Sequence, residues 1–198
     1  MNLRINSKNF LIIGSSRGIG KSIAQTFLDD GANVGLVARS QSDLKETSES
    51  LYINSESKIS HWTADLTDKK SVQNLLDNVC TEWGVIDGIV LNVGDGRSKP
   101  EPITTADQWE SVWDTNFNSA LFTARAFLPE LFKSKGCIVF ISSICGIEAL
   151  GAPTDYSVAK TALISLSKNI ASKVGPDVRV NVVAPRNIFL RAELGIKK

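Results

Sequence analysis

Histidine occurs once in this chain, at His61, and that scarcity excludes a good deal. Multi-histidine zinc sites are removed, and a Ser-His-Asp hydrolase would have to rest on His61 alone. Its setting, from Lys58 to Thr63, reads as a strand, so His61 is expected to have no chemical role. Cysteine is nearly as scarce. Cys80, Cys137 and Cys145 form no CxxC pair and are odd in number, which argues for buried thiols in a reducing compartment and against a disulfide framework. A dominant charge is missing too: the net charge is +1 with basic residues scattered, which leaves no footprint for nucleic acid or an anionic membrane. No stretch approaches the length of a membrane span, and the apolar run Phe10–Ile13 after Arg4 and Lys8 is too short for a signal peptide. The expectation is a cytoplasmic protein with no metal site and with neither nucleic acid nor membrane as partner.

What is present is alternation. Short apolar, β-branched runs at Phe10–Gly14, Asn33–Ala38, Lys58–Thr63, Gly88–Asn92, Cys137–Ser142 and Arg179–Val183 read as strands. Between them Ile19, Ile23 and Phe27 repeat at helical spacing, as do Val72, Leu75, Leu76 and Val79. Ser40 with Asp43 resembles a capping box, and Thr67 with Asp68 marks another helix start. A long helical region runs from Trp109 to Lys135, with a break expected near Asn116 and a kink or end at Pro129. Strands alternating with helices, and near-continuously apolar, predict an α/β fold of three layers: a parallel sheet covered on both faces. The 198 residues show no repeat, linker or low-complexity tract, so residues 1–198 are expected to form one domain. Arg179–Val183 would be a bare apolar edge, which calls for a missing segment or a partner to cover it.

The turn Gly14-Ser15-Ser16-Arg17-Gly18-Ile19-Gly20 follows the first strand and opens the first helix. Small residues let a backbone approach a diphosphate, and a helix N-terminus supplies N–H donors and partial positive charge. A rival reading is a P-loop, since Ser15 to Ser22 is one residue short of GxxxxGK[ST], with serine at the first glycine position. That nucleotidase reading also needs an acidic residue ending a later strand to hold Mg²⁺. Gly88–Asn92 ends in Asn and Cys137–Ser142 in Ser, so it fails twice.

It would also leave Tyr156 and Lys160 unexplained. These stand four residues apart at the start of a helical stretch, thirteen residues after Ser143. At i and i+4 the phenol and the ammonium project from one face. A free tyrosine ionises near pH ~10, and a fixed cation favours the phenolate. A serine hydroxyl beside them can hold a carbonyl oxygen while the phenol gives or takes its proton. These parts suit the interconversion of alcohol and ketone, with hydride supplied by a cofactor, because no side chain donates it.

In this order and at these spacings, the residues resemble the classical short-chain dehydrogenases/reductases from about residue 8 to residue 190. The family's TGxxxGxG motif is similar to Ile13–Gly20, with isoleucine in place of threonine. Its aspartate near the adenine matches Asp65 in Asp65-Leu66-Thr67, and Leu91-Asn92-Val93-Gly94 is a degraded copy of its NNAG motif. Its catalytic Asn, Ser, Tyr and Lys fall on Asn116, Ser143, Tyr156 and Lys160. The resemblance implies a Rossmann-like doubly wound sheet with strand order 3-2-1-4-5-6. Departures are Pro185-Arg186 where the family has Pro-Gly, Leu190 at a threonine position, and an end at Lys198 about fifty residues early. The family's seventh strand and substrate lid are therefore expected to lie outside this sequence.

By that resemblance Lys160 holds the nicotinamide ribose and lowers the Tyr156 pKa, Tyr156 exchanges the proton, Ser143 orients the substrate oxygen, and Asn116 holds a relay water. The implied cofactor contacts come from Gly14, Ser16, Arg17, Gly18, Ile19 and Gly20 in the turn. Arg39, Asp65, Leu66, Asn92 and Gly94 follow the next strands, and Tyr156, Lys160, Pro185 and Ile188 complete the set. At the end of the second strand, Ala38-Arg39 stands where NAD-preferring relatives carry an acid, and Arg17 is a second cation nearby. Two guanidiniums and no carboxylate suit a 2′-phosphate, so NADP(H) is expected, unless both are only solvated surface charges. Substrate-facing residues should come from Asp95–Ile103 and Ile144–Thr154. Asp95, Arg97, Lys99 and Glu101 suit a polar or anionic carbonyl or alcohol, with an acyl-carrier-protein thioester, a sugar derivative or a small ketone all open. A cofactor-binding or scaffold homologue without turnover is the alternative. Trp109, Trp113, Phe117, Phe122 and Phe127 exceed what one helix face can bury, and relatives pair their two long helices, here about Trp109–Lys135 and Thr154–Val174. A homodimer or homotetramer is expected through them.

Overall fold

The computed structural model describes residues 4–53, 57–99 and 101–186. Six strands, β1 (Asn9–Ile13), β2 (Asn33–Ala38), β3 (Ile59–Thr63), β4 (Gly88–Leu91), β5 (Cys137–Ile141) and β6 (Arg179–Val183), form one sheet in the order β3-β2-β1-β4-β5-β6. Every pairing is parallel, and at the centre Ile12 of β1 lies between Leu36 of β2 and Val90 of β4. Six α-helices connect the strands: α1 (Gly18–Asp29), α2 (Gln41–Ser50), α3 (Lys69–Trp83), α4 (Ala106–Trp113), α5 (Ser119–Ser134) and α6 (Thr154–Val174). This is the doubly wound, three-layer α/β fold expected, with strand ends within a residue of those read from the sequence.

The period-two alternation of the strands sorts their side chains into two cores. Leu11, Ile13, Ile89, Leu91 and Phe140 point to one face, where α3, α5 and α6 bring Leu75, Phe127 and Leu163. Phe10, Ile12, Val34 and Leu36 point to the other, under Ala24 and Leu28 of α1 and Leu44 of α2. Strands buried on both faces have no polar side to show, which is why they read as continuous apolar runs. Only the outer strands depart from this. In β6, Val180 and Val182 pack on the first core while Arg179, Asn181 and Val183 are exposed, so the edge expected to be bare and apolar shows mostly polar side chains, with Val183 alone of the strand's valines open.

Helix starts follow their caps. Ser40 Oγ accepts from Asp43 N at 3.2 Å, and the Asp68 carboxylate accepts from Lys70 N and Ser71 N at 3.1 and 3.2 Å. Asp68, not Thr67, caps α3. The expected break near Asn116 is a π-helical turn, Asp114–Asn118, that joins α4 to α5 without ending the helical path. Pro129 neither ends nor bounds α5, which runs on to Ser134; the proline is exposed, where water can serve the carbonyl it leaves unpaired. The three thiols are free and only partly buried, a correction to the fully buried expectation. No helix among the described residues is long and apolar enough to cross a membrane.

Candidate active site

At the C-terminal ends of β1, β2, β3 and β4 lies a cleft of about 560 Å³. It straddles β1 and β4, where the connections turn to opposite sides of the sheet, the usual place for a ligand in this topology. Gly14, with φ of +70°, turns the chain out of β1, and a Cβ there would meet Asn92 O at 2.8 Å. A Cβ on Gly20 would come within 2.2 Å of Gly14 O, so the first turn of α1 closes on the loop only because both positions are glycine. Asn92 Nδ2 donates to Gly14 O at 3.1 Å, tying the end of β4 to the turn. Thr47 Oγ1 on α2 donates to Ser16 O at 2.7 Å. The result is an open floor of backbone beside a helix N-terminus, a cradle suited to a diphosphate.

Gly14, Ser16, Arg17, Gly18 and Ile19 line this cleft together with Arg39, Asp65, Leu66, Asn92 and Gly94, so those expected cofactor residues are brought together. Gly20 packs behind the floor. Pro185 is not in the wall, where Arg186 takes its place; Ile188, like Leu190, lies outside the described residues. Ser40, Asp43, Thr67, Thr115, Ser119 and Arg186 also line the cleft and were missed as site residues. Ser40 and Asp43 carried a signal that was spent on capping, and Arg186 one that was read only as a departure from Pro-Gly. The cleft therefore holds three arginines against Asp43, Asp65 and Asp95. Hydrogen bonds from Thr67 N (3.0 Å) and Thr67 Oγ1 (2.8 Å) hold the Asp65 carboxyl below its ordinary range, and Arg39 adds to the effect. Asp95 is lowered chiefly by the Arg97 guanidinium, which donates from Nη2 to Oδ2 at 2.7 Å.

Lys160 and Asn116 lie beside Gly94, and Tyr156 lies near Gly96 with the Ser143 hydroxyl next to its phenol; the four stand next to the β4 side of the cleft, and none of them is in its wall. Lys160 is 4% exposed, and its Nζ reaches Val93 O at 3.4 Å and Ile141 O at 3.3 Å. A Cβ on Gly94 would sit 2.6 Å from that nitrogen and 2.9 Å from Asn116 Oδ1. Burial drives the Lys160 ammonium down to about 8. Tyr156 departs from expectation: burial raises its phenol, the Ser143 hydroxyl pulls it back down, and Cys145 and Asp95 push it up. Geometry explains why the lysine does not dominate, for its Nζ lies over the phenol ring at 5.7 Å from the centroid and is turned to two carbonyls. Ser143 Oγ accepts from Cys145 N at 3.2 Å, which fixes it at the start of a short 3₁₀ turn, Ile144–Gly146. The Asn116 side chain clamps the Asp95 peptide, accepting from Asp95 N at 3.0 Å and donating to Asp95 O at 3.1 Å and Val112 O at 3.0 Å. Both amide protons are thus spent, which leaves one Oδ1 lone pair for the expected relay water.

The arrangement can hold a carbonyl between a serine hydroxyl and a protonated phenol, beside a cradle for a dinucleotide. Away from it, Trp109, Glu110, Trp113, Asp114 and Asn118 line a second hollow of about 340 Å³ along α4 and the π turn. Trp113 packs on Phe117 with centroids 4.6 Å apart, whereas Phe127 is fully buried and takes no part in that surface.

Comparison with known proteins agrees with the fold. Residues 8–190 match the family model described as short chain dehydrogenase. A 3-oxoacyl-[acyl-carrier-protein] reductase of Chlamydia muridarum is 33% identical over 187 residues, covering 93% of this chain and 75% of that protein. An uncharacterized oxidoreductase of Bacillus subtilis is 36% identical over 187 residues, covering 93% and 70%. Among solved structures, L-sorbose reductase of Gluconobacter frateurii complexed with NADPH and L-sorbose superposes with a TM-score of 0.90 at 30% identity, over 97% of this chain and 74% of that one.

Proposed function

This chain belongs to the short-chain dehydrogenases, a family of oxidoreductases, and from that premise we propose that it is an NADP(H)-dependent reductase of a polar carbonyl compound, or a dehydrogenase of the matching alcohol. The observation that carries the reading is the grouping of Ser143, Tyr156 and Lys160 next to Gly94 and Gly96, beside the β4 end of a cleft floored by Gly14 and Gly18. We read the 198 residues as a single cofactor-binding catalytic domain.

The residues present suit a dinucleotide, because the cradle is one that added Cβ atoms would fill. The turn from Gly14 to Gly20 would hold the diphosphate, Asp65 and Leu66 the adenine side, and Asn92, Gly94 and Lys160 the nicotinamide half. Arg17 and Arg39 would grip the 2′-phosphate, and Arg186, after β6, adds a third cation elsewhere in the cleft lining. When bound, the nicotinamide supplies the hydride. Ser143 then orients the substrate oxygen and Tyr156 protonates it, or takes its proton in the reverse direction. In this protein the phenol starts protonated, as burial dictates, which suits the reductive direction. Lys160 holds the ribose and restores a proton path, and Asn116 keeps the 95 peptide in place.

Support for NADP(H) comes from Arg39 after Ala38 and from the NADPH in the sorbose reductase complex. Support for a polar substrate comes from Asp95 and Arg97 at the mouth and from the sugar in that complex. We place the protein in the cytoplasm, as a homodimer or homotetramer paired through α4, α5 and α6. A fluorescence titration with NADPH and NADH, followed by NADPH oxidation over a carbonyl panel, tests the reading. Arg39→Ala should weaken NADPH about 10- to 100-fold and leave NADH unchanged, as loss of a charged hydrogen bond implies. Tyr156→Phe should cut kcat by about 10²- to 10⁴-fold with NADPH affinity intact. Equal affinity of the parent protein for the two cofactors would sink the NADP(H) assignment. Tight NADPH binding with no turnover on any carbonyl would favour the scaffold alternative, which the Pro185-Arg186 replacement supports.

A further inference from the structure

Asp155 immediately precedes Tyr156, and it is 1% exposed. Among the described residues no lysine or arginine forms an ion pair with it. Three neutral donors satisfy its carboxylate instead. Oδ1 accepts from Tyr156 N at 2.7 Å, and Oδ2 accepts from Ser98 Oγ at 2.7 Å and Thr104 Oγ1 at 3.0 Å. Ser98 Oγ accepts in turn from Gln108 Nε2 of α4 at 3.1 Å. The carboxylate also lies in the first turn of α6, where the helix dipole favours negative charge. A buried carboxylate is costly unless its oxygens are hydrogen-bonded, so these donors are needed where they are.

Two of the donors belong to the segment between β4 and α4, whose described residues form no helix or strand. One carboxylate therefore pins both ends of the arc from Ser98 to Thr104. Ile103, next to the pin, is 78% exposed, so the tie fixes the backbone and turns this side chain outward. Just before the arc, Gly96 lies against the Tyr156 ring: a Cβ there would be 3.7 Å from Cζ, the carbon that bears the hydroxyl. The segment is thus fastened to the residue before the tyrosine and packed on the tyrosine itself.

We propose that Asp155 is a positioning residue that ties Ser98 and Thr104 to the first turn of α6, making these two points of the β4–α4 connection a fixed wall of the substrate space beside the Tyr156 hydroxyl and a determinant of which carbonyl compounds enter. The proposal rests on the reading of Tyr156 as the proton donor, and its test separates the two. The double variant Ser98→Ala, Thr104→Val removes both loop donors and leaves the Asp155 bond to Tyr156 N in place. Ser98→Ala alone serves if the double variant does not fold. Asp155→Asn keeps an acceptor for Tyr156 N and offers an amide to the hydroxyls. In the double variant, hydrogen exchange at the amides of positions 98, 99, 101, 103 and 104 should quicken by about tenfold or more while exchange in the sheet is unchanged. KM for the best carbonyl substrate should rise about tenfold, with kcat falling no more than about threefold and NADPH affinity unchanged. Asp155→Asn should lie between the parent and the double variant on both scales. Parental exchange and parental KM in the double variant would overturn the proposal. If the parent protein reduces no carbonyl, the catalytic reading fails; exchange then decides the tie alone, quickened exchange upholding it and unchanged exchange overturning it.

Discussion

Lys160 carries an ammonium to a place where water does not follow, and it finds there only the carbonyls of Val93 and Ile141. Its pKa falls from 10.5 to about 8, a cost on the order of 3 kcal/mol when the group is charged, partly offset by two hydrogen bonds worth about 1 kcal/mol each. Between about pH 8 and pH 10.5 the unfolded chain holds a proton that the native one has released, so this residue makes stability rise with pH across that window. Below it the full penalty stands. Lys160→Met should therefore raise the melting temperature by about 2–4 °C at neutral pH, with the gain vanishing near pH 10, while turnover is lost. Differential scanning calorimetry over that pH range checks it; a gain independent of pH would place the cost elsewhere. The spacing of Ser143, Tyr156 and Lys160 was legible in the sequence because i, i+4 periodicity fixes which side chains share a helix face. The burial that raises the phenol and depresses the lysine was not, since it depends on residues distant in sequence, Gly94 approaching Lys160 and Gly96 approaching the Tyr156 ring.

Helix caps show where local chemistry sufficed and where it concealed a second use. Ser40 and Asp68 stand at the starts of α2 and α3 and accept the orphan N–H groups there. Replacing either by alanine should cost about 1 kcal/mol of stability. Ser40 also lines the cleft and Asp68 does not, so only Ser40→Ala should weaken NADPH as well. Matched urea midpoints with different cofactor affinities are the expected result, and equal affinities would remove Ser40 from the site. Strand positions were legible to within a residue because β1, β2 and β4 bury both faces. The π turn at Asp114–Asn118 was visible only as a break, since a widened turn has no composition of its own. Pro129 misled for the opposite reason: its local rule is strong, but exposure to solvent let α5 continue through it.

At the scale of the molecule, the α4 hollow leaves Trp109 and Trp113 partly open beside Glu110 and Asp114. If α4, α5 and α6 pair two copies, Trp113→Glu should convert a dimer into a monomer at micromolar concentration in sedimentation velocity. A parent protein that is already monomeric there would end the pairing idea. The order of the sheet has a further consequence, for the way the chain acquires its structure in time. Asn9 pairs with Asn33 across 24 positions, but Phe10 reaches Gly88 only across 78. A parallel sheet has no hairpins to start from, and closing the longer loop costs roughly 1 kcal/mol more. The β1–α1–β2 unit should therefore form early and the β1–β4 seam late. Trp62 and Trp83, which meet edge to face at 5.2 Å on the β3 side, report the early half by their emission. The cleft spans the late seam. In stopped-flow refolding of a Trp109→Phe, Trp113→Phe variant, the emission of Trp62 and Trp83 should reach its native value before the protein becomes competent to bind NADPH, so recognition of the cofactor is the last property the chain acquires.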